Sequence, residues 1–506
     1  MTYFDLRPDR REPATARTQH GRPAAGGVMN LSAARRRPLG TLAVVCLATA
    51  MLMLDVAVVN TALPRIASDL GSGLTGLQWV VDAYTLALAT VVLTTGSLAD
   101  RFGRRRIFAW GIGVFTVTSL VCASTSSIAV LDAMRAVQGV GAAMMFASSL
   151  AILADAFPDA GERAKAFAAY GATIGASFAV GPLVGGALTS GITWRAVFYV
   201  NLPLGLVALA GTYLWVRESH NPAPRAVDWA GQASLTVGLF LLVLALLRGN
   251  ADGWSSAAIE GELAGAGALL GLFVLAQRRT EEPMLPLSLF RRPRFAAAQL
   301  GALAISASFF ALFFYTTLYL QEVLRLSPIQ AGLVYLPGTV LMLVASAASA
   351  PLTHRAPGHL IVSGLVLAAA GLALMTLTGA ESSWATLLPG ELVVCLGTGI
   401  LNPALAAVAM SSLPERQSGL ASGVNDAFRQ GGVAIGIAAF GALIPASAAL
   451  GHGSGQAYVD ALHHALLVGT AVAAIGAAAC ARLLTRSGDE RVPAATPTAP
   501  VAHELG

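Results

Sequence analysis

The amino-acid sequence predicts an all-α polytopic membrane protein. Hydrophobic residues make up 55% of the chain and charged residues 12%, with a mean hydropathy of +0.67. Soluble domains contain about 25% charged residues, so this composition lies outside their range. Long apolar runs alternate along the chain with short segments rich in arginine. This alternation predicts a bundle of membrane-spanning helices connected by loops.

Fourteen apolar runs have a length near the roughly 20 residues that a spanning helix requires. They are Leu39–Asn60, Leu77–Leu98, Ile107–Ser124, Ile128–Leu153, Ala164–Leu188, Ala196–Val216, Trp229–Leu247, Gly261–Gln277, Ala296–Leu320, Ala331–Ala350, Leu360–Leu377, Trp384–Met410, Leu420–Ile444 and Leu462–Leu484. The eighth run is the weakest candidate. Without this helix, every later loop would lie on the other side of the membrane.

The basic residues predict the topology of these helices. Cytoplasmic loops of membrane proteins carry an excess of Lys and Arg. With the N-terminus in the cytoplasm, the loops on the opposite side hold only Arg65, Arg195, Arg248 and Arg325, and the other loops and the two tails hold most of the remaining basic residues. We therefore expect fourteen helices with both termini cytoplasmic.

The composition of the two ends of the chain, the cysteine spacing and the net charge give three further expectations. Residues 1–38 are rich in Arg, Pro and small residues, and residues 486–506 in Pro, Ala and Thr, so we expect a disordered cytoplasmic arm and tail. The four cysteines lie singly in apolar runs, without the paired spacing of a metal site. We therefore expect no metal site. The arginines that give the net charge of +5 lie between the apolar runs and do not form a basic stripe on a soluble domain, so we expect no nucleic-acid partner.

Asp55 lies inside the first apolar run. A carboxylate at this depth costs about 2.5–3.5 kcal/mol on insertion scales and is by default a functional residue. Counted from the outer helix ends, Asp55, Asp82 and Arg135 all lie about 8–12 Å below the surface. We expect them to meet in one cavity, with Asp55 as the main proton site, Arg135 modulating it and Asp82 a secondary acid. Alternatively, Asp82 is a wetted residue at the mouth of its helix.

The loop between helices 2 and 3 has the pattern of a conformational gate. It runs from Gly96 through Asp100, Arg101 and Gly103 to Arg104. Gly96 permits close approach of another helix. Asp100 and Arg104 are placed to pair across a helix end, an ion pair that forms in one conformation and breaks in another.

These patterns resemble the major facilitator superfamily, in particular the 14-helix EmrB/QacA-like branch of drug/proton antiporters. The gating loop resembles the superfamily signature, and the segment around Arg135 and Gln138 also matches. Helix 1 matches the branch pattern Leu-Asp-x-Thr-Val-Val-Asn-x-Ala-Leu-Pro, except that Ala57 replaces the usual Thr. Helix 5 carries the residues of the antiporter motif, namely Gly175, Gly181, Pro182, Gly185 and Gly186. Taken alone, glycines at this spacing also suit close helix packing.

The resemblance implies a fold and a function. The fold is two six-helix bundles, residues 39–217 and 295–485, with an inserted helix pair at residues 226–278. The function is export of amphipathic drugs or antibiotics by alternating-access antiport with protons, as in antibiotic-resistance exporters. It implies no cofactor, the proton motive force as the energy source, and a monomer in the bacterial cytoplasmic membrane.

We expect the substrate cavity to include Asn60, Gln138, Glu391, Asn425 and Arg429. For Glu391 an interfacial position above a short helix is an equal alternative. Asp426 lies three residues before Arg429, so the two are expected to neutralise each other. One or two of the aromatic residues that crowd helix 9 are candidates to stack on substrate. The acids Asp55, Asp82 and Glu391 mildly favour cationic or zwitterionic substrates.

Two other functions remain open at this point. One is proton-coupled uptake by symport, which the antiporter motif disfavours. The other is a membrane sensor that transports nothing, which the intact gate and proton-site residues disfavour. An enzyme is the least supported class, because no arrangement of nucleophile, base and oxyanion donor is recognisable in the sequence.

Overall fold

The computed structural model of the chain describes residues 27–221, 226–412, 418–445 and 454–486. Within these ranges the chain is helical and contains no strand. The long helices are α1 (Gly27–Leu70), α2 (Leu74–Phe102), α3 (Arg104–Ser124), α4 (Ile128–Ala156), α5 (Ala160–Gly191), α6 (Ala196–Trp215), α7 (Trp229–Asp252), α8 (Ala257–Arg279), α9 (Pro293–Val323), α10 (Pro328–Ser349), α11 (Pro357–Met375), α12 (Leu388–Ser411), α13 (Ser418–Gly441) and α14 (Gly455–Arg486). The predicted all-α polytopic fold is confirmed.

The first helix begins earlier than the sequence predicted. It starts at Gly27, so residues 27–38 of the expected disordered arm are helical. Ala, Leu and Arg between residues 31 and 37 favour helix, and the apolar run continues them directly. The rest of the predicted arm, residues 1–26, and the tail from residue 487 onward lie outside the described residues.

Thirteen helices in the described part of the chain are long and apolar enough to cross a membrane. They include α8, the weakest of the predicted spans, with a hydropathy of 1.6. The remaining long helix is α13, which carries the polar cluster Asn425, Asp426, Arg429 and Gln430. It packs against α2 and α9 in the interior of the bundle, where a polar face is tolerated.

Contacts between distant parts of the chain position the interior. Helix α5 packs along both α1 and α10, and α2 packs along α13. Helices α7 and α8 pack on each other, and α7 also contacts α2 and α13. The inserted pair thus lies beside the seam between α2 and α13. The division into bundles at residues 39–217 and 295–485 stays a prediction.

The glycines of α5 bring three helix backbones close together. A Cβ on Gly185 would lie 2.3 Å from Thr61 Oγ1 and 2.7 Å from Val58 Cα, both on α1. A Cβ on Gly181 would lie 2.2 Å from the Cβ of Ala57, and one on Gly186 would lie 2.4 Å from the Pro328 carbonyl oxygen at the start of α10. Ala57 therefore occupies a contact that a larger side chain would strain.

The other two residues of this motif face α10. A Cβ on Gly175 would lie 3.2 Å from Leu343 Cδ1. The Pro182 carbonyl oxygen opposes Gly332, where an added Cβ would come within 2.4 Å. Because small residues allow this approach on both sides, α5 is the packing link between α1 and α10.

We predict that Gly185→Val destabilises the protein by about 1–3 kcal/mol, because the new side chain meets backbone atoms of α1 that cannot move aside. Thermal unfolding in detergent measures the effect as a lower midpoint. The matched control is Gly171→Val on the same helix, where an added Cβ has no neighbour within 4 Å. Equal midpoints for the two variants would contradict this account of α5 packing.

Candidate functional site

A buried ion pair joins Asp55 on α1 to Arg135 on α4. Arg135 Nη1 donates to Asp55 Oδ2 at 2.6 Å, and the two side chains are 1% and 0% exposed. The Arg135 guanidinium also donates to the Val80 carbonyl oxygen at 2.9 Å and lies 4.3 Å from the centroid of the Tyr84 ring. The expected contact between Asp55 and Arg135 is therefore present.

Three polar side chains complete the coordination of this pair. Asn201 Nδ2 donates to Asp55 Oδ1 at 2.8 Å, and Gln138 Nε2 donates to the same oxygen at 3.2 Å. Arg135 Nη1 also donates to Gln138 Oε1 at 2.7 Å. Ser119 Oγ accepts from both amides, at 2.8 Å from Gln138 and 3.3 Å from Asn201. The Asp55 carboxylate thus accepts from three donors on α4 and α6.

The sequence did not assign roles to Asn201 and Ser119. Asn201 lies in the apolar run of α6. An amide side chain in a membrane helix often forms a hydrogen bond to another helix, so the sequence could have indicated this contact. Ser119 gives no such signal, because a serine in a membrane helix usually bonds to its own backbone, as Ser119 also does to Phe115.

Asp82 does not join this cluster, so the expectation of one shared cavity for all three residues is wrong. Val80 and Tyr84 face Arg135, and Asp82 lies between them in sequence, about 200° around the helix from each. Its side chain is fully buried, and both carboxylate oxygens lack a hydrogen-bond partner in the described part of the chain. The predicted depth of Asp82 in the membrane does not determine the face of α2 on which its side chain lies, and that face points away from Arg135.

A central cavity lies between the two halves of the chain. Its walls come from α1, α2, α5, α9, α10, α12 and α13. The lining is mainly apolar and aromatic, with a few polar groups. Its residues are Met53, Val56, Asn60, Val81, Thr85, Ile174, Gly175, Phe178, Ser306, Phe310, Phe313, Met342, Asn402, Arg429, Gln430, Val433 and Ile437.

Two of the five predicted cavity residues, Asn60 and Arg429, line this cavity. The placement of the other three was wrong. Gln138 is turned toward Asp55. Asn425 donates to Gln299 Oε1 on α9 at 3.3 Å. The third, Glu391, lies elsewhere in the interior.

Glu391 is enclosed between α12 and α10. It is 1% exposed, so its interfacial alternative is also wrong, and neither carboxylate oxygen has a hydrogen-bond partner among the described residues. A Cβ on Gly338 would lie 2.5 Å from Glu391 Oε1, which places the carboxylate against the backbone of α10. Glu391 and Asp82 are thus two isolated buried acids, one in each half of the chain.

Helix α9 departs from regular α-helix where it meets the cavity. Residues Ser306–Phe310 form a π-helical turn, and its first and last residues both line the cavity. Phe310 packs against Phe178 of α5 with a ring-centroid distance of 5.2 Å. Such turns occur often at functional sites, because they re-aim side chains within a helix. The aromatic crowding of helix 9 therefore does supply cavity residues.

The predicted gating loop contains the expected ion pair. Arg104 Nη2 lies 2.8 Å from Asp100 Oδ1, and Gly103 between α2 and α3 has a φ of +107° that favours glycine. Arg101 is exposed. At Gly96 an added Cβ would lie 4.0 Å from Ala147, an ordinary contact, so this conformation does not require glycine there.

Glu218, just after α6, is a member of the gating loop that sequence reasoning missed. Its Oε1 accepts from the Arg105 backbone N–H at 3.0 Å, and its Oε2 lies 3.6 Å from Arg106 Nε. A carboxylate is favourable at this position because it faces the positive N-terminal end of α3. The loop is therefore held by the segment after α6 as well as by its own ion pair.

Hydrogen bonds connect the two halves of the chain at one end of the cavity. Gln78 Nε2 donates to Tyr315 Oη at 2.7 Å, and Gln321 Nε2 donates to the Thr61 carbonyl oxygen at 3.0 Å. The Ile329 backbone N–H donates to Ser190 Oγ at 3.2 Å. All lie toward the end at which α1 ends and α2 begins. We call this set the end contacts.

Comparisons with known proteins agree with this architecture. The sequence model of the Major Facilitator Superfamily matches residues 45–437. The chain is 35% identical to the multidrug resistance protein Stp of Mycobacterium tuberculosis over 412 residues, covering 81% of this chain and 76% of that protein. It is 34% identical to the tetracenomycin C resistance and export protein of Streptomyces glaucescens, covering 84% and 79%.

The fold is also similar to solved transporter structures. A crystal structure of a peptide transporter in complex with sulfate has a TM-score of 0.61, with 16% identity, and the match covers 88% of this chain and 95% of that one. At this identity the likeness concerns the fold alone. Together with the sequence matches, it identifies a multi-pass membrane transporter and not an enzyme. The chain belongs to the major facilitator superfamily.

Proposed function

We propose that this protein exports amphipathic drugs or antibiotics in exchange for protons. The observation that carries the proposal is the buried pair of Asp55 on α1 and Arg135 on α4, which lies directly behind the wall of the central cavity. The names of the relatives, which include multidrug resistance, tetracenomycin C resistance and export, and puromycin resistance proteins, support a drug or antibiotic as the substrate class.

In this mechanism Asp55 is the main proton carrier. A proton that binds the carboxylate neutralises it and removes its attraction for Arg135. The guanidinium stays charged and keeps its bonds to Gln138 and the Val80 carbonyl oxygen. Met53 and Val56, which line the cavity, lie about 160° and 100° around α1 from Asp55. Loosening the pair therefore frees α1 to move and changes the shape of the cavity.

The proton gradient supplies the energy, and no cofactor is needed in this proposal. One proton crossing a potential of 100 mV provides about 2.3 kcal/mol. Asp82 and Glu391 are the proposed secondary proton sites. Each is buried without a basic partner in the described residues. An unpaired buried carboxylate is costly, so protonation stabilises each of these side chains.

The gating loop and α5 are proposed to control the conformational change. The Asp100–Arg104 pair is exposed enough to break and re-form. The glycines of α5 keep α1 and α10 in close contact with it, so a movement of α1 is passed through α5 to α10. The end contacts close one end of the cavity. With cytoplasmic termini that end is the outer one, so this conformation is closed to the outside.

The remaining features of the proposal rest on the charge pattern for the topology and on the family for the membrane and the oligomeric state. Both termini are cytoplasmic, the membrane is the bacterial cytoplasmic membrane, and the transporter acts as a monomer. The two six-helix bundles move against each other around the central cavity, and the α7–α8 pair stays beside the α2–α13 seam.

Drug-induced proton release from acid-loaded everted vesicles tests this function. A panel of amphipathic antibiotics and dyes is added, and internal pH is followed by fluorescence. At least one compound is expected to release protons from vesicles that contain the wild-type protein. Movement of compound and proton in the same direction would instead indicate symport. No response to any compound, with expression confirmed, would contradict the proposal.

We predict that Asp55→Asn reduces drug-induced proton release to background, because the amide cannot carry a proton. The matched control is Asp69→Asn on the same helix, whose carboxylate pairs with Arg195 at 2.6 Å but is 46% exposed. The control should retain release, since exposed ion pairs contribute about 1 kcal/mol or less. Full release by Asp55→Asn would move the proton site elsewhere.

We predict that Arg135→Gln destabilises the protein by about 3–5 kcal/mol, because it leaves the Asp55 carboxylate buried without a counter-ion. The double variant Asp55→Asn/Arg135→Gln should recover most of this loss and still show no proton coupling. Thermal unfolding of the purified variants measures the recovery. An additive effect of the two substitutions would show that they do not interact.

We predict that Gln321→Ala opens the cavity toward the outside, because it removes a bond between the two halves worth about 0.5–1.5 kcal/mol. Labelling of Asn60→Cys by a membrane-impermeant thiol reagent in intact cells, with the four native cysteines replaced, should rise about two- to tenfold. Gln456→Ala is the control, since Gln456 is exposed and, within the described residues, its side chain donates only to exposed Asp460 on its own helix. Unchanged labelling would contradict the role of the end contacts.

A further inference from the structure

The central cavity contains a guanidinium that forms no salt bridge with any described residue. Arg429 of α13 lines the cavity and is only partly buried. Its side chain forms no hydrogen bond and no ion pair with another described residue, and its Cζ lies 5.8 Å from the centroid of the Phe310 ring. Arginine is always protonated, so a positive charge faces the cavity.

No acid in the described part of the interior forms a salt bridge with this guanidinium. No Asp or Glu belongs to the cavity lining among the described residues. Asp426, the nearest acid along α13, accepts a hydrogen bond from Ser422 Oγ at 3.3 Å and makes no ion pair with Arg429. The expected pairing of Arg429 with Asp426 is therefore present only as an electrostatic attraction without direct contact, which leaves the guanidinium free to pair with a ligand. Asp55 is already paired with Arg135 behind the wall.

The walls around Arg429 suit an aromatic ligand. Phe178 lies 5.2 Å from Phe310 and 6.1 Å from Phe313 between ring centroids, and Met342 contributes to the same wall. Flat apolar surfaces next to one fixed charge are typical of sites that orient an amphipathic molecule by its single polar group. A guanidinium favours planar anions, because it donates two parallel hydrogen bonds to a carboxylate.

We propose that the cavity binds aromatic compounds that carry an acidic group, such as a carboxylate or an ionised phenol, and that Arg429 is the residue that pairs with it. This inference rests on the proposed export function and specifies the substrate class of the same cavity. It reverses the preference for cations that the three acids suggested from the sequence, because none of those acids faces the cavity.

Two dyes built on the same xanthene ring system test the inference. Fluorescein is anionic at neutral pH and rhodamine 123 is cationic. Binding to the purified protein is measured by fluorescence polarisation, which does not depend on proton coupling. Fluorescein should bind more tightly than rhodamine 123. Arg429→Gln should weaken fluorescein binding at least tenfold and leave rhodamine 123 binding unchanged or stronger.

Three controls separate a binding role from a structural one. Arg429→Lys keeps the charge and should retain part of the fluorescein affinity. Arg294→Gln removes an exposed arginine of α9 outside the cavity and should change nothing. Thermal unfolding of each variant shows whether it is folded, and a folded Arg429→Lys protein that binds fluorescein as weakly as Arg429→Gln would count against the charge pairing.

The outcomes distinguish this inference from the proposed function. Tighter binding of rhodamine 123, fluorescein binding that does not depend on Arg429, or binding of neither dye would overturn the inference. Drug-driven proton release without dependence on Arg429 would leave the export function intact and overturn the substrate class. Arg429-dependent fluorescein binding without any transport would support the substrate class and contradict export.

Discussion

The interior of the N-terminal half depends on one electrostatic interaction, the ion pair between Asp55 and Arg135. Both side chains are almost completely buried, and a buried charge without a partner is among the largest single penalties in a protein interior. The amides of Gln138 and Asn201 donate to the other Asp55 oxygen, and both amides also donate to Ser119 Oγ. Helices α1, α3, α4 and α6 are thereby held at one polar point within an apolar bundle.

Helix α1 presents a different chemistry on each of its faces. One face carries Asp55, a second carries Met53, Val56 and Asn60 into the cavity, and a third packs on the glycines of α5. In the proposed mechanism, proton and substrate do not compete for one carboxylate. They act on different faces of the same helix, and the close contact with α5 transmits the movement toward α10. In that mechanism a cavity with a positive wall is compatible with a proton-driven transporter whose acid lies outside the cavity.

The sequence predicted those features that depend on position along a helix. The number of helices, the contact of Asp55 with Arg135 and the pairing of Asp100 with Arg104 all followed from hydropathy, depth or a spacing of four residues. Direction around a helix was harder to predict. Asp82 has the depth of Asp55 and faces away from it, and Glu391 has the depth of a cavity residue and lies against Gly338.

Contacts between distant segments were not predictable from the sequence. Asn201, Ser119 and Glu218 acquire their roles only when α6 and the segment after it fold back on α3 and α4. For Arg429, the local spacing to Asp426 favoured an ion pair, and the tertiary structure places the guanidinium at the cavity instead.

The protonation state of Asp55 during substrate binding is the central quantity of this account. It is measured by infrared difference spectroscopy on the purified protein, with and without a transported compound, and the Asp55→Asn variant assigns the carboxyl band. The account predicts that substrate binding removes the band of a protonated Asp55 and that the variant lacks this change. A band that substrate leaves unaltered, or the same change in the variant, would contradict the coupling of α1 to the cavity.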